Sequence, residues 1–267
     1  MNRELIEKAA ELISSKKPVV AFTGAGVSKE SGISTYRDPG GLWDRYPEGS
    51  SGGILAVLRN HPEEGSKILK DFMARLKNAR PNPGHMALVE LEKMGYLRSV
   101  ITQNVDNLHI EAGNSKVLEL HGNIFRLRCI KCGKIIKLER EKYFEIIEEI
   151  LNRMTRLTME DLFSQLPPCE CGGKRRIDFV GFGEPVKDLP EAMAEAQTCG
   201  LMLILGTSGV VYPAASIPLT AKSKGALLLE INPNRTALTD HTDLFVPEKT
   251  GEALPQIVSA LKKRIKN

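Results

Sequence analysis

The sequence has few aromatic side chains, no long apolar run and little excess of charge of either sign. Its 267 residues include 5% aromatics and a single tryptophan. No apolar run reaches the ~20 residues that a membrane-spanning helix needs, so we expect no membrane association. Lys and Arg outnumber Asp and Glu by only 37 to 33, which gives no support to direct nucleic-acid binding. The N-terminal segment is a charged amphipathic pattern rather than a signal peptide, so we expect a cytoplasmic protein.

Cysteine is also scarce, but its distribution is informative. Four of the five cysteines form two close pairs, Cys129-x-x-Cys132 and Cys169-x-Cys171. Disulfides are rare inside cells, and four thiolates can close a tetrahedral zinc site. Glycines beside both pairs would supply the tight turns that bring the sulfur atoms together. A single Cys-x-x-Cys pair can also be redox-active, but two pairs in one segment favour structural zinc.

The hydrophobic pattern predicts an α/β fold. The first apolar, strand-like run begins at Val19. Further runs of this kind lie at 98–103, 117–120, 201–205, 226–231 and 243–246. They alternate with helix-like segments, and most end in glycine or polar residues. This alternation is typical of a doubly wound parallel sheet whose site lies at the carboxyl ends of the strands. The cysteine-bearing segment 125–177 interrupts the pattern.

A glycine-rich turn follows the first strand. Gly24 and Gly26 would let the backbone approach a ligand with no Cβ in the way. A phosphate held there would meet backbone N–H groups at the start of a helix. The match to G-x-G-x-x-G is incomplete, because Lys29 stands at the third glycine and no ribose-binding acid follows about twenty residues later. On these glycines alone, a simple tight turn is an equally good interpretation.

Two more polar runs follow predicted strands. They are Gln103-Asn104-Val105-Asp106 and His121-Gly122. Each residue taken alone could serve only a turn. Together with the segment 19–43, Phe182-Gly183-Glu184 and the cysteine pairs, they resemble the motifs of the sirtuins, the NAD-dependent protein deacylases. The resemblance covers nearly the whole chain, in the order of the family.

The resemblance implies an activity and roles for three catalytic residues. Asn104 would order the ribose of NAD and a catalytic water, and Asp106 would bind the nicotinamide carboxamide. His121 would be the general base on the ribose hydroxyls, a task that suits the ordinary pKa of histidine. The reaction would begin with attack of the acyl-lysine amide oxygen on C1′ of the nicotinamide ribose. Its products would be nicotinamide, free lysine and 2′-O-acyl-ADP-ribose, with deacetylation as the default.

The resemblance also implies the remaining site residues and the cofactors, NAD and Zn²⁺. NAD would be bound by Gly24, Ala25, Gly26, Tyr36, Arg37, Trp43, Gln103, Asn104, Asp106, His121, Gly206, Thr207, Ser208, Asn232 and Thr250. An acyl-lysine protein or peptide would bind by strand addition, in contact with Val180, Phe182, Gly183, Glu184 and Val210. Zinc would be held by Cys129, Cys132, Cys169 and Cys171.

These assignments divide the chain into three parts. Residues 1–35, 84–124 and 178–267 would form a Rossmann-like NAD-binding domain. Residues 36–83 would be a cofactor loop and helical insert, and 125–177 a small zinc-binding domain. Gly181 stands where the family usually has a bulky residue, which would widen the acyl-lysine tunnel. Phe72 replaces the tyrosine of the desuccinylase Tyr-x-x-Arg pair, whose arginine would be Arg75. Arg75 could still meet an anionic acyl group, but without the tyrosine we expect uncharged acyl groups to be preferred. We interpret His85 and His109 as structural.

Two other functions remain open on the sequence alone. The segment Ser34-Thr35-Tyr36 differs from the family pattern, and mono-ADP-ribosyl transfer would use the same pocket with another nucleophile. A catalytically silent NAD sensor or chromatin-binding scaffold is the third hypothesis. The presence of Asn104, Asp106 and His121 argues against it.

Overall fold

The computed structural model describes residues 2–34, 42–153 and 158–266, and within them the chain forms two sheets with helices around them. The strands are β1 Val19–Thr23, β2 Leu97–Thr102, β3 Val117–Glu119, β4 Gly122–Cys129, β5 Ile135–Lys137, β6 Arg175–Phe179, β7 Leu201–Leu205, β8 Leu227–Ile231 and β9 Leu244–Val246. The α-helices are α1 Arg3–Ser15, α2 Leu42–Arg45, α3 Gly49–Asn60, α4 Pro62–Asn78, α5 Pro83–Lys93, α6 Leu108–Ala112, α7 Arg140–Arg153, α8 Met159–Ser164, α9 Leu189–Thr198, α10 Ser216–Ser223 and α11 Thr250–Lys266. Short 3₁₀ helices lie at Ala25–Ser31 and Thr239–His241. None of the helices in the described ranges is long and apolar enough to cross a membrane.

The larger sheet confirms the predicted doubly wound fold. Its six strands are parallel and follow the order β3-β2-β1-β7-β8-β9. Val19 and Ala21 of β1 pack on one face in a core shared with α1, α5 and α11. Val20 and Phe22 point to the opposite face, in a core shared with α9 and α10. The strand order reverses between β1 and β7, so a crevice forms beyond the carboxyl ends of these two strands.

A capping box fixes the start of α5. The Asn82 side chain accepts hydrogen bonds from the N–H groups of Gly84 and His85, and the His85 ring accepts one from the N–H of Asn82. Pro83 occupies the first helical position, where its missing N–H costs nothing. His85 is therefore held inside the fold at a defined place.

The smaller sheet and the helical insert share one hydrophobic core. Strands pair in the order β5-β4-β6, and Phe125 of β4 packs edge-to-face on Tyr143 and Phe144 of α7. Met73 and Leu76 of α4 lie in the same buried cluster. Helix α4 thus packs with α7 and the small sheet in one lobe. The three-part division of the chain stays a prediction; the small sheet itself runs from Gly122 to Phe179.

Candidate active site between the sheet and the small lobe

A cavity of about 780 Å³ lies at the carboxyl ends of the central strands, beside the small lobe. Most of the predicted site residues line it, namely Gly24, Ala25, Gly26, Gln103, Asn104, Asp106, His121, Val180, Phe182, Gly183, Glu184, Gly206, Thr207, Ser208 and Asn232. Val210 is exposed next to Val211, which does line the cavity. Thr250 is buried at the start of α11 and is not among the described lining residues.

The structure does not describe the side chains of three predicted NAD-binding residues. Tyr36 and Arg37 lie outside the described residues. The backbone of Trp43 belongs to α2, and its side chain is not described. Their roles stay predictions.

The two glycines after β1 are required by the packing of one loop against another. A Cβ added to Gly26 would lie 2.7 Å from the Cα of Gly206, and one added to Gly24 would lie 2.8 Å from the Cβ of Thr207. The N–H groups of Gly24 and Gly26 donate to the carbonyls of Leu205 and Gly206. These two bonds join the loops that follow β1 and β7. The phosphate site that the sequence predicts at the start of the following helix stays a prediction.

Ser28 connects two of the predicted catalytic residues. Its hydroxyl donates to Asp106 Oδ2 at 2.6 Å and accepts from Asn104 Nδ2 at 3.0 Å. The Asn104 amide also donates to the Gly24 carbonyl at 3.1 Å, so its orientation is fixed. Burial raises the pKa of Asp106 above its usual value, and the hydrogen bond from Ser28 opposes that shift. The sequence interpretation missed Ser28, although a serine two positions after a Gly-x-Gly turn is a usable signal.

Polar side chains cross the crevice between β2, β7 and β8. Gln103 Nε2 donates to Thr207 Oγ1 at 2.9 Å, and Asn232 Nδ2 donates to the Thr207 carbonyl at 3.0 Å. Thr207 is buried, whereas Ser208 is half-buried and lines the cavity. This wall offers amides and hydroxyls to a ligand that carries many oxygen atoms.

His121 follows β3 and has one ring nitrogen engaged. Its Nδ1 lies 2.9 Å from the carbonyl oxygen of Gln103, so Nδ1–H donates and Nε2 carries the lone pair. Burial lowers the pKa of His121 below its ordinary value, although the hydrogen bond to Gln103 opposes this. The imidazole is therefore neutral at neutral pH, and Nε2 is the nitrogen available to accept a proton.

The opposite rim of the cavity carries the predicted substrate-binding residues. Phe182 is 51% exposed and Tyr212 is 67% exposed, and both side chains line the cavity. The Glu184 carboxylate accepts from the N–H of Gly181 at 3.0 Å and from the guanidinium of Arg176. Glu184 therefore organises this loop with its side chain.

Four cysteines form a cluster at the far end of the small sheet. Their sulfur atoms all lie within 4.8 Å of one another, with Cys129 and Cys171 at 3.5 Å and Cys132 and Cys169 at 3.7 Å. A tetrahedral zinc ion with Zn–S bonds of 2.3 Å places its sulfurs about 3.8 Å apart, so the donor set fits zinc. Gly133 and Gly172 have positive φ angles of 75° and 74°, as the predicted turns require. The shorter Cys-x-Cys spacing of the second pair is compatible with this arrangement.

Comparison with known proteins decides the family. The sequence profile of the Sir2 family matches residues 24–213. An NAD-dependent protein deacylase of Desulfosudis oleivorans is 46% identical over 262 residues, which cover 97% of this chain and 96% of that protein. The chain belongs to the Sir2 family. This finding confirms the sirtuin resemblance drawn from the motifs.

Solved structures of Sir2 proteins show the same fold. A mutant Sir2 homologue in complex with ADP-ribose has a TM-score of 0.79 and 36% identity, with 100% of this chain and 98% of that chain covered. A Sir2 homologue in complex with NAD has a TM-score of 0.77 and 37% identity, with 97% and 94% covered. The fold of this Sir2 chain is therefore one that binds NAD in related proteins.

Proposed function

We propose that this Sir2 chain removes acyl groups from lysine side chains of proteins or peptides in an NAD-dependent reaction. The products would be nicotinamide, free lysine and 2′-O-acyl-ADP-ribose. The reaction class is that of its family and of its relative in Desulfosudis oleivorans, so the chain is an NAD-dependent protein deacylase.

The placement of His121 is the observation that carries the proposal. The ring lines the cavity, its Nδ1–H is anchored on the Gln103 carbonyl, and its lowered pKa keeps it neutral. A general base needs an unprotonated nitrogen in a fixed direction, and Nε2 meets both requirements. We assign to it the removal of a proton from a ribose hydroxyl.

The residues present fit NAD on the sheet side of the cavity. Gln103, Thr207, Ser208 and Asn232 offer amide and hydroxyl groups there, and the absence of side chains at Gly24 lets the loops close tightly. When bound, NAD supplies the bond between C1′ and nicotinamide and the ADP-ribose that accepts the acyl group. Asn104, held by the Gly24 carbonyl and Ser28, would orient ribose and water.

Asp106 is suited to a carboxamide. Its carboxylate is buried, and it accepts from Ser28 and from the N–H of Leu108 at 3.0 Å. An amide N–H donated by a ligand would stabilise the charged form of such a group, because burial otherwise disfavours it. We therefore assign recognition of the nicotinamide carboxamide to Asp106.

The small-lobe side of the cavity indicates the acyl group. It is lined by apolar residues that include Ile54, Leu55, Phe72 and Val105. Arg75 pairs with Asp71 at 2.8 Å and is not among the described lining residues. The described arginine that does line the cavity, Arg235, belongs to the segment after β8 and not to the small lobe. An uncharged acyl group suits this surface.

Gly181 leaves additional room at the same place. A Cβ added there would have its nearest contact at 3.7 Å, with Leu55 Cδ1, so the position is open enough to accept a side chain. We therefore propose that uncharged acyl groups longer than acetyl also fit.

The assignment of His121 is tested with His121→Ala. Loss of a general base should lower kcat for deacylation by about 10²–10⁴-fold, while NAD binding measured by calorimetry persists. The control is His241→Ala, because His241 is exposed on the 3₁₀ helix Thr239–His241. Near-normal deacylation by His121→Ala would overturn the role.

The acyl assignment is tested with Gly181→Leu on acetyl-, decanoyl- and succinyl-lysine peptides of one sequence. We expect the wild type to reject the succinyl peptide, and Gly181→Leu to reduce kcat/KM for the decanoyl peptide by about tenfold more than for the acetyl peptide. Gly181→Ala is the matched control, since its Cβ meets only ordinary contacts. Equal losses on the acetyl and decanoyl peptides would contradict the assignment.

A further inference from the structure

We propose that two buried histidines with no assigned part in the reaction, His85 and His109, form with Thr23 and Thr102 a directed chain of hydrogen bonds that positions Asn104. They would be positioning residues, because none of the four is among the residues that line the cavity. The inference rests on the proposed function in one respect only, namely that Asn104 takes part in the deacylation reaction.

The end of this chain nearest the site is a pair of threonines. The N–H of Asn104 donates to Thr102 Oγ1 at 3.0 Å, and Thr23 Oγ1 donates to the same oxygen at 2.8 Å. His109 Nε2 lies 3.0 Å from Thr23 Oγ1. Because the hydroxyl proton of Thr23 is already donated, Nε2 of His109 must carry a proton and donate it. His109 is thus the Nε2–H tautomer, and its Nδ1 is an acceptor.

The other end of the chain is the capping box of α5. His85 Nδ1 accepts from the N–H of Asn82 at 3.3 Å, so Nδ1 has no proton and Nε2–H is a donor. Asn82 in turn donates from Nδ2 to the carbonyl of Val27 at 2.7 Å, on the 3₁₀ helix that also carries Ser28. This end is therefore tied to the loop after β1.

The two histidines each have one buried nitrogen without a partner. These atoms are His85 Nε2 and His109 Nδ1, and the centroids of the two rings are 4.8 Å apart. By the tautomers above, one atom is a donor and the other an acceptor. Leaving both unsatisfied would cost about 1–3 kcal/mol each, whereas a link between them, directly or through one water, satisfies both at once. The two ends of the chain are then continuous.

Burial keeps both rings in the form that the chain needs. His85 and His109 are 0% and 2% exposed. Burial lowers the pKa of His85 to about 4 and holds the pKa of His109 well below its ordinary value. A neutral imidazole has one donor and one acceptor, and each ring uses them in opposite directions along the chain. Protonation of His85 would place its Nδ1–H against the N–H of Asn82, and protonation of His109 would place its Nδ1–H against the Nε2–H of His85.

The first experiment measures the tautomers in the wild-type enzyme. Nitrogen-15 NMR of histidine-labelled protein at neutral pH should show His85 and His109 as neutral Nε2–H tautomers and His121 as the Nδ1–H tautomer. Finding His109 as Nδ1–H, or charged, would overturn the proposal. This measurement needs no substrate, so its result is independent of whether the protein deacylates lysine.

The second experiment is a double-mutant cycle on kcat for deacylation. His109→Phe and Thr102→Val should each lower kcat by about tenfold, and the double variant should lose about tenfold rather than a hundredfold, because both changes break the same chain. His109→Gln can still donate to Thr23 and should retain kcat within about threefold. Thr102→Ser, which retains the acceptor oxygen, is the matched control.

The cycle also separates positioning from packing. A purely structural role would lower the melting temperature of His109→Phe but leave kcat of the folded fraction unchanged. That result, or multiplicative losses in the double variant, would overturn the proposal. If His109→Phe does not fold, the nitrogen-15 NMR measurement of the wild-type tautomers decides whether the proposal holds.

Discussion

Ser28 provides the sharpest test of how the site is assembled, because it contacts both Asn104 and Asp106. Ser28→Ala removes the donor that lies 2.6 Å from Asp106 Oδ2 and the acceptor that lies 3.0 Å from Asn104 Nδ2. A hydrogen bond to a charged group contributes about 1.5–3 kcal/mol. The variant should therefore lose roughly 10- to 150-fold in kcat/KM for NAD, since a loss of 1.36 kcal/mol is a factor of ten.

The pH profile gives Ser28→Ala a second signature. The Ser28 hydroxyl lowers the pKa of Asp106 against the effect of burial. Without it the pKa of Asp106 rises, so Asp106 takes up a proton at higher pH and the acidic limb of kcat/KM moves to higher pH. The assay measures nicotinamide release with an acetylated peptide. The pH is varied from about 5 to about 8, a range around the reference pKa of histidine of about 6.5. The control is Ser223→Ala, because Ser223 is exposed at the end of α10. An unchanged acidic limb with kcat/KM within about twofold of wild type would refute the reasoning.

Three further predictions concern the fold. Cys132→Ser should lower the bound zinc measured by atomic absorption together with the melting temperature, whereas Cys199→Ala, outside the cluster, should keep its zinc. Gly26→Ala should cost about 1–3 kcal/mol in urea unfolding, because its Cβ would lie 2.7 Å from Gly206 Cα; Gly181→Ala should cost nothing measurable. The free energy of unfolding should fall as the pH drops from 6.5 towards 4, because His85 takes up its proton at a higher pH in the unfolded chain than in the folded one. His85 alone accounts for about 2 kcal/mol at pH 5, and a dependence as steep in His85→Asn would contradict this.

The strands of the large sheet could be predicted closely because they are buried on both faces. Such strands are continuous apolar runs, and the predicted 201–205 has the bounds of β7, while 98–103 differs from β2 by one residue at each end. The shared core of the small lobe could not be predicted. It depends on contacts such as that between Met73 and Tyr143, which are 70 positions apart and leave no local signal.

The candidate site was predictable where residues follow strands. Asn104 and His121 are each the second residue after the end of a strand, β2 and β3, so the topology alone places them at one edge. The links between side chains were not predictable. The bond of Ser28 to Asp106 and the pairing of Glu184 with Arg176 depend on how loops fold against each other, and the glycines after β1 are needed for a neighbouring loop.

The most direct test of the central claim is mass spectrometry of an acetyl-lysine peptide incubated with the enzyme, with and without NAD. The account predicts loss of the acetyl group only with NAD, together with nicotinamide and 2′-O-acetyl-ADP-ribose. Using NAD labelled in the adenylate half also tests the alternative reaction. Label that stays covalently on protein while the peptide keeps its acetyl group would contradict deacylation and indicate ADP-ribosyl transfer.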